Sequence, residues 1–159
     1  MDFLALLRRD HADLQHELTK LLDPGSTLAI LRASLDGVRL GLTAHVEAED
    51  IVLGRFESVP GLQGLVAQAR AAHLLQEGVL SSLVSCRPRT RAWLDCAQHL
   101  RELVHRHAKD EEAGLIVALR RNTAEYSRLA GAFATERLCQ LAMLQPSAPI
   151  YAPHLAVAG

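Results

Sequence analysis

Most of the common functional signatures are missing from this sequence. Only three cysteines occur in 159 residues: Cys86, Cys96 and Cys139. An odd number with no C-x-x-C pair supplies neither a disulfide framework nor a thiolate zinc site. No apolar run approaches the roughly 18–20 residues needed to cross a bilayer. The first ten residues carry an early acid, Asp2, and turn charged after Leu7, which does not suit a secretory signal. The formal net charge is -1 and no basic block occurs, which argues against nucleic-acid binding by bulk electrostatics. No Ser-His-Asp order, glycine-rich phosphate loop or nucleotide fingerprint is present. β-Branched residues are scattered, and no alternating run lies between hairpin turns. Together these absences predict a reduced, cytoplasmic, all-α protein with no nucleic-acid or membrane partner.

What is present is helical periodicity. With 49% hydrophobic residues, the chain can build one domain around a real core. Asp23-Pro24-Gly25-Ser26 marks a stop and restart, with Ser26 or Thr27 as the N-cap. Gly54 to Gly61, Cys86 to Thr90 and Arg121-Asn122-Thr123 mark three more breaks. Helices are therefore expected over 2–22, 27–54, 61–85, 90–121 and 123–144. The domain would span 1–145, with an extended or loosely docked tail, rich in proline, over 146–159.

Each of the first four helices has a stripe of apolar residues at the 3-4 spacing of a bundle, interrupted by histidine or glutamate. The first reads Leu4, Leu7, His11, Leu14, Leu18, Leu21. The second reads Leu31, Leu35, Val38, Leu42, His45, Glu49, Val52. The third reads Leu62, Val66, Ala69, His73, Glu77, Leu80, Val84. The fourth reads Trp93, Ala97, Leu100, Val104, His107, Glu111, Gly114, Ala118. His16 lies about 140° around the helix from His11 and leaves the stripe. Glu47, His99 and His105 also fall outside.

The inner set is thus His11, His45, Glu49, His73, Glu77, His107 and Glu111. Burying these groups without partners would cost several kcal/mol each, and a shared cation satisfies them together. Four imidazoles and three carboxylates exceed the needs of one tetrahedral zinc. Mixed nitrogen and oxygen donors in this number suit two first-row ions, iron or manganese first. Glu49 and Glu111 are the natural bridges, with His11 and His45 serving one ion and His73 and His107 the other. Gln76 competes with Glu77 for the same stripe, which leaves Glu77 as a ligand, a supporting group or a solvent-facing one.

The order His11, His45-x-x-x-Glu49, His73, His107-x-x-x-Glu111 resembles the hemerythrin-like (HHE cation-binding) family over roughly residues 5–120. The resemblance implies an up-down four-helix bundle around a non-haem di-iron centre with a bridging oxo or hydroxo group. Members of that family carry or sense dioxygen, handle peroxide or nitric oxide, sense or hold iron, or act as oxidative enzymes. The oxygen carriers of the family have H-x-x-x-H on their third helix, where this chain has Glu77 in the second position. Their last helix has H-x-x-x-x-D, and here both Glu111 and Glu112 follow His107. Glu111 keeps the stripe and is preferred, with Glu112 the fallback. An anionic donor in place of an imidazole stabilises the ferric state, which favours oxygen activation, peroxide chemistry or iron handling over reversible carriage.

The expected function is therefore redox chemistry with dioxygen, peroxide or nitric oxide at a carboxylate-bridged centre, and the chain, if an enzyme, is a di-iron oxidoreductase. The alternatives are a non-catalytic sensor, carrier or store, and a metal-free bundle in which these residues are relics. Trp93 is expected to cap one end of the core, Tyr126 is a distant candidate for a phenolate near the metals, and Arg87, Arg89 and Arg91 read as a solvated loop. The fifth helix needs burial for Leu129, Phe133, Leu138, Leu141 and Leu144. It could act as a lid on its own bundle or as a homodimer interface.

Overall fold

The computed structural model describes residues 1–145, so the expected tail over 146–159 lies outside the described residues. Helix α1 spans Phe3–Leu22, α2 Leu28–Leu53, α3 Gln63–Ser85 and α4 Arg91–Asp110. The last of these runs on through a π turn, Glu111–Leu115, into α5, Ile116–Arg120, and α6 follows over Thr123–Leu144. Among the described residues there is no strand. Helix α1 packs against α2 and α4, and α3 packs against α4 and α2, so the pairings close a ring. Helix α6 lies across α2 and α1.

The helix starts follow from capping. Thr27 Oγ1 accepts a hydrogen bond from the Ile30 amide at 3.2 Å, and Thr90 Oγ1 one from the Trp93 amide at 3.3 Å. Each satisfies one of the amides that a helix leaves open at its first turn. Ser26, the other candidate cap, instead donates its hydroxyl to the Lys20 carbonyl and closes the end of α1. At the α2–α3 connection, Gly61 has φ +84°, a left-handed conformation that glycine adopts without steric cost. The arginine-bearing loop is less detached than expected, because the exposed Arg89 side chain donates to the Ser26 carbonyl across the α1–α2 turn.

The apolar core divides into two clusters. One gathers Phe3, Leu7, Val52, Val66, Leu115 and Phe133, among others. The other gathers Leu14, Leu18, Leu42, Leu80, Trp93 and Leu100, among others. Along the chain, the interrupting residues fall between the two: His11 between Leu7 and Leu14, Glu49 between Leu42 and Val52, and His73 between Val66 and Leu80. A polar layer therefore crosses a bundle that is apolar above and below it.

Two stripes differ from their expected course. On α3 the buried positions are Val66, Ala69, His73, Gln76, Leu80 and Leu83. These alternate steps of three and four, the 3.5-residue repeat that keeps a helix facing its bundle neighbours. The expected choice of Glu77 and Val84 takes two successive steps of four and drifts off that face. Val84 is accordingly exposed and Glu77 only half-buried. On the fourth rod, Leu115 and Leu119 are buried where Gly114 and Ala118 were expected. The π turn inserts one residue, so every later position on the stripe moves by one.

Helix α6 buries Leu129, Ala130 and Phe133 against its own bundle, with Leu141 half-buried. Leu138, Met143 and Leu144 remain exposed. Its first half is thus an intramolecular cover.

Candidate metal centre

Four helical rods deliver six side chains to the polar layer. His11 comes from α1, His45 and Glu49 from one face of α2, His73 from α3, and His107 with Glu111 from the end of α4 and the π turn. All six are buried, with Glu49 fully inaccessible. His45 Nε2 and Glu49 Oε2 are 3.2 Å apart, the contact expected of side chains one helical turn apart.

The imidazoles form two pairs. His11 Nε2 and His45 Nε2 are 3.1 Å apart, and His73 Nε2 and His107 Nε2 are 3.0 Å apart. Glu49 lies between the pairs, its Oε2 3.2 Å from His45 Nε2 and 3.5 Å from His73 Nε2. Glu111 lies on the other diagonal, with Oε2 3.8 Å from His11 Nε2. Ligand atoms of His45, Glu49, His73 and His107 all fall within 4.8 Å of one another, and so do those of His11, His107 and Glu111.

Glu77 does not join either group. Its carboxyl is raised above the usual range by partial burial and by the charges of Glu47 and Asp50, which places it on the flank of His73. The buried position next to His73 belongs to Gln76. Glu112 turns outward, where Arg8 donates to it at 2.6 Å, and so leaves the inner carboxylate to Glu111. Tyr126 is also elsewhere: its hydroxyl donates to Asp2 at 2.8 Å at the far end of α1.

Two carboxylates escaped the sequence reading. Asp50 Oδ1 lies 2.7 Å from His73 Nδ1, and Asp10 Oδ2 lies 3.4 Å from His45 Nδ1. Each holds the outer nitrogen of its imidazole, leaving Nε2 to face inward. Asp10 was detectable, because it stands three residues after Leu7 and four before Leu14, and so shares the buried face of α1. Asp50, one-third exposed, gave no such signal.

The polar groups fit cations better than they fit each other. Both oxygens of Glu49, both oxygens of Glu111, and His11 Nδ1 are buried without a hydrogen-bond partner. Burial and the facing charge of Glu49 raise the Glu111 carboxyl well above its usual range. Burial also resists ionisation of Glu49, but the charge of His73 and the close approach of the His45 imidazole outweigh it and hold that carboxyl low. Burial and the His45 charge push His11 down to about 3, and burial with the His73 charge pushes His107 to about 4. His73 goes the other way: burial is overcome by Glu49 and Asp50, which raise it to about 10. Four imidazole nitrogens and two carboxylates converging in this way form a donor set that first-row cations accept.

The sequence model of the hemerythrin HHE cation-binding domain matches residues 2–119. The chain belongs to the hemerythrin HHE cation-binding family. No curated protein and no solved structure gives a significant match. Within this hemerythrin domain fall all six inward side chains and both outer aspartates, whereas α6 lies beyond the matched residues. Among the described residues no helix is long and apolar enough to cross a membrane.

A small cleft reaches the hemerythrin centre between α3 and the π turn. Gln68 and Asp110 stand exposed at its rim, and Ala69, His107, Glu111 and Leu115 are buried along its inner wall. Its volume is about 30 Å³, room for about two water-sized groups.

Proposed function

We propose that this hemerythrin-family chain is an up-down four-helix bundle holding two iron ions and handling dioxygen, peroxide or nitric oxide. One observation carries the reading: two buried carboxylates without hydrogen-bond partners lie between two histidine pairs. His11 and His45 would hold one ion, His73 and His107 the other, with Glu49 and Glu111 shared between them. Glu77 stays outside this set as a neighbour of His73. Manganese suits the same donors, and iron comes first because ferrous iron exchanges electrons readily with dioxygen, peroxide and nitric oxide. When bound, such an ion pair supplies one- and two-electron exchange with a small oxidant.

The protein's own contributions are orientation and exclusion. Asp10 and Asp50 fix the inward tautomers of His45 and His73. The two apolar clusters keep bulk water from both sides of the polar layer. The cleft beside His107 is small, with room for about two water-sized groups, and suits a ligand of that size. That size favours chemistry on the oxidant itself. Binding without turnover, as in a sensor, carrier or store, is the alternative that the same cleft also serves. The three cysteines are free thiols, in keeping with a proposed reducing cytoplasm.

The test is to load the protein with ferrous iron without oxygen and follow its absorption on adding dioxygen, hydrogen peroxide or nitric oxide. A new visible or near-ultraviolet band with at least one of them is expected. Consumption of peroxide over many cycles marks turnover, and reversible loss of the band on removing the gas marks binding alone. No spectral response to any of the three would contradict the reading.

A further inference from the structure

The two halves of the centre are supported unequally. On one side, Asp50 contacts His73 Nδ1 at 2.7 Å, and no lysine or arginine among the described residues pairs with its carboxylate. On the other side, Asp10 stands 3.4 Å from His45 Nδ1, and the same oxygen accepts a hydrogen bond from Arg137 Nε. Asp10 is almost wholly buried, and Arg137 is under one-quarter exposed. One turn before Arg137, Phe133 sets its ring edge-on to His45, with centroids 5.7 Å apart. Both residues lie on α6, beyond residues 2–119 matched by the family domain.

A carboxylate that accepts the Nδ1 proton of an imidazole pushes electron density toward Nε2 and strengthens it as a donor. Asp50 is free to do this fully for His73. Asp10 divides its charge between His45 and a guanidinium that hydrogen-bonds it more closely. We propose that Arg137 is a positioning residue which weakens His45 as a donor, and that α6 thereby gives the two ions of the centre unequal reduction potentials. The inference rests on the two-ion reading of the site. The ion at His11 and His45 takes an electron more readily, and the ion at His73 and His107 holds the oxidised state more firmly. Loss of the guanidinium returns the whole charge of Asp10 to His45 and removes a nearby positive charge. Both changes lower the potential of the first ion toward that of the second.

The experiment is a redox titration of the full chain loaded with iron, following the one-electron-reduced state by electron paramagnetic resonance. Iron per chain is measured on every sample. The quantity read is the constant for one fully reduced and one fully oxidised centre forming two half-reduced ones. In Arg137→Ala this constant is expected to fall about tenfold, equivalent to about 59 mV for a one-electron couple. Arg137→Lys, which keeps the charge, is expected to recover most of it. Asp10→Asn provides a second direction: an amide donates less to His45, so the constant is expected to rise. Asp50→Asn weakens the other side and is expected to lower it. A constant unchanged within twofold in Arg137→Ala at two irons per chain, with only a lower melting temperature, would overturn the proposal and leave Arg137 as a tether for α6. If Arg137→Ala does not fold, an unchanged constant in Asp10→Asn overturns it equally. Fewer than two irons in the unsubstituted chain would instead overturn the two-ion reading, and the inference with it.

Discussion

Glu49 Oε2 on α2 lies 3.5 Å from His73 Nε2 on α3, and the same oxygen is 3.2 Å from His45 Nε2. A single buried carboxylate therefore spans the two halves of the polar layer. Glu111 repeats the arrangement from the π turn. Each carboxylate lacks any hydrogen-bond partner, and the conflict between stability and binding is sharpest at these two residues.

That conflict is testable at Glu111. Glu111→Leu removes a buried polar group with no hydrogen-bond partner, and leaving such a group unsatisfied costs about 1–3 kcal/mol. The metal-free form is expected to become more stable to urea, while iron bound per chain falls below two. Urea melts with and without iron, combined with metal analysis, check both halves.

The metal-free protein should be most stable near pH 6.5. Below that value, unfolded His11 and His107 take up protons at their ordinary 6.5, whereas the folded residues hold out to about 3 and about 4. The unfolded chain then binds more protons, so stability falls as pH drops from 6.5 toward 4. His73 acts in the opposite sense. Its folded value is about 10, so its contribution is complete below 6.5 and is lost as pH rises toward 10. Urea midpoints of the metal-free form from pH 4 to pH 10 are expected to trace this peak. In the iron-loaded form the alkaline decline should vanish, because a metal-bound imidazole carries no such proton to lose.

The cleft beside His107 sets a kinetic expectation. Ala72, on its wall, is half-buried. Ala72→Phe fills a space of about 30 Å³ without replacing a proposed ligand. Azide or nitric oxide binding, followed by stopped-flow absorption, is expected to slow at least tenfold, with iron per chain unchanged. An unchanged rate would show that ligands enter elsewhere.

Much of this layout was legible in the sequence because bundle helices write their inner faces at regular spacing. His11, His45, Glu49, His73, His107 and Glu111 each replace an apolar residue in such a stripe, and the structure brings all six together. The failures have three physical sources. A stripe allows steps of three or four, so Gln76 and Glu77 are equivalent until the 3.5-residue repeat of the packed bundle selects Gln76. A π turn has no propensity signature, so the shift from Gly114 to Leu115 could not be read ahead. The partners of the outer imidazole nitrogens depend on how separate helices approach. Asp50 meets His73, and Arg137 meets Asp10, only once α3 and α6 are docked.

The distinction between Glu77 and its neighbours has a simple consequence. Glu77→Ala is expected to leave iron per chain unchanged and to alter stability by no more than about 0.5 kcal/mol, as for most surface changes. His73→Ala is expected to lose at least one ion. Metal analysis of the two variants side by side decides the point.

The most direct test of the central claim is the metal content of the purified protein after anaerobic loading with ferrous iron and removal of excess. Two irons per chain are expected, coupled magnetically through shared ligands, and falling to one or fewer in Glu49→Ala. One iron per chain, or none above trace, would contradict a centre built from two histidine pairs and two shared carboxylates.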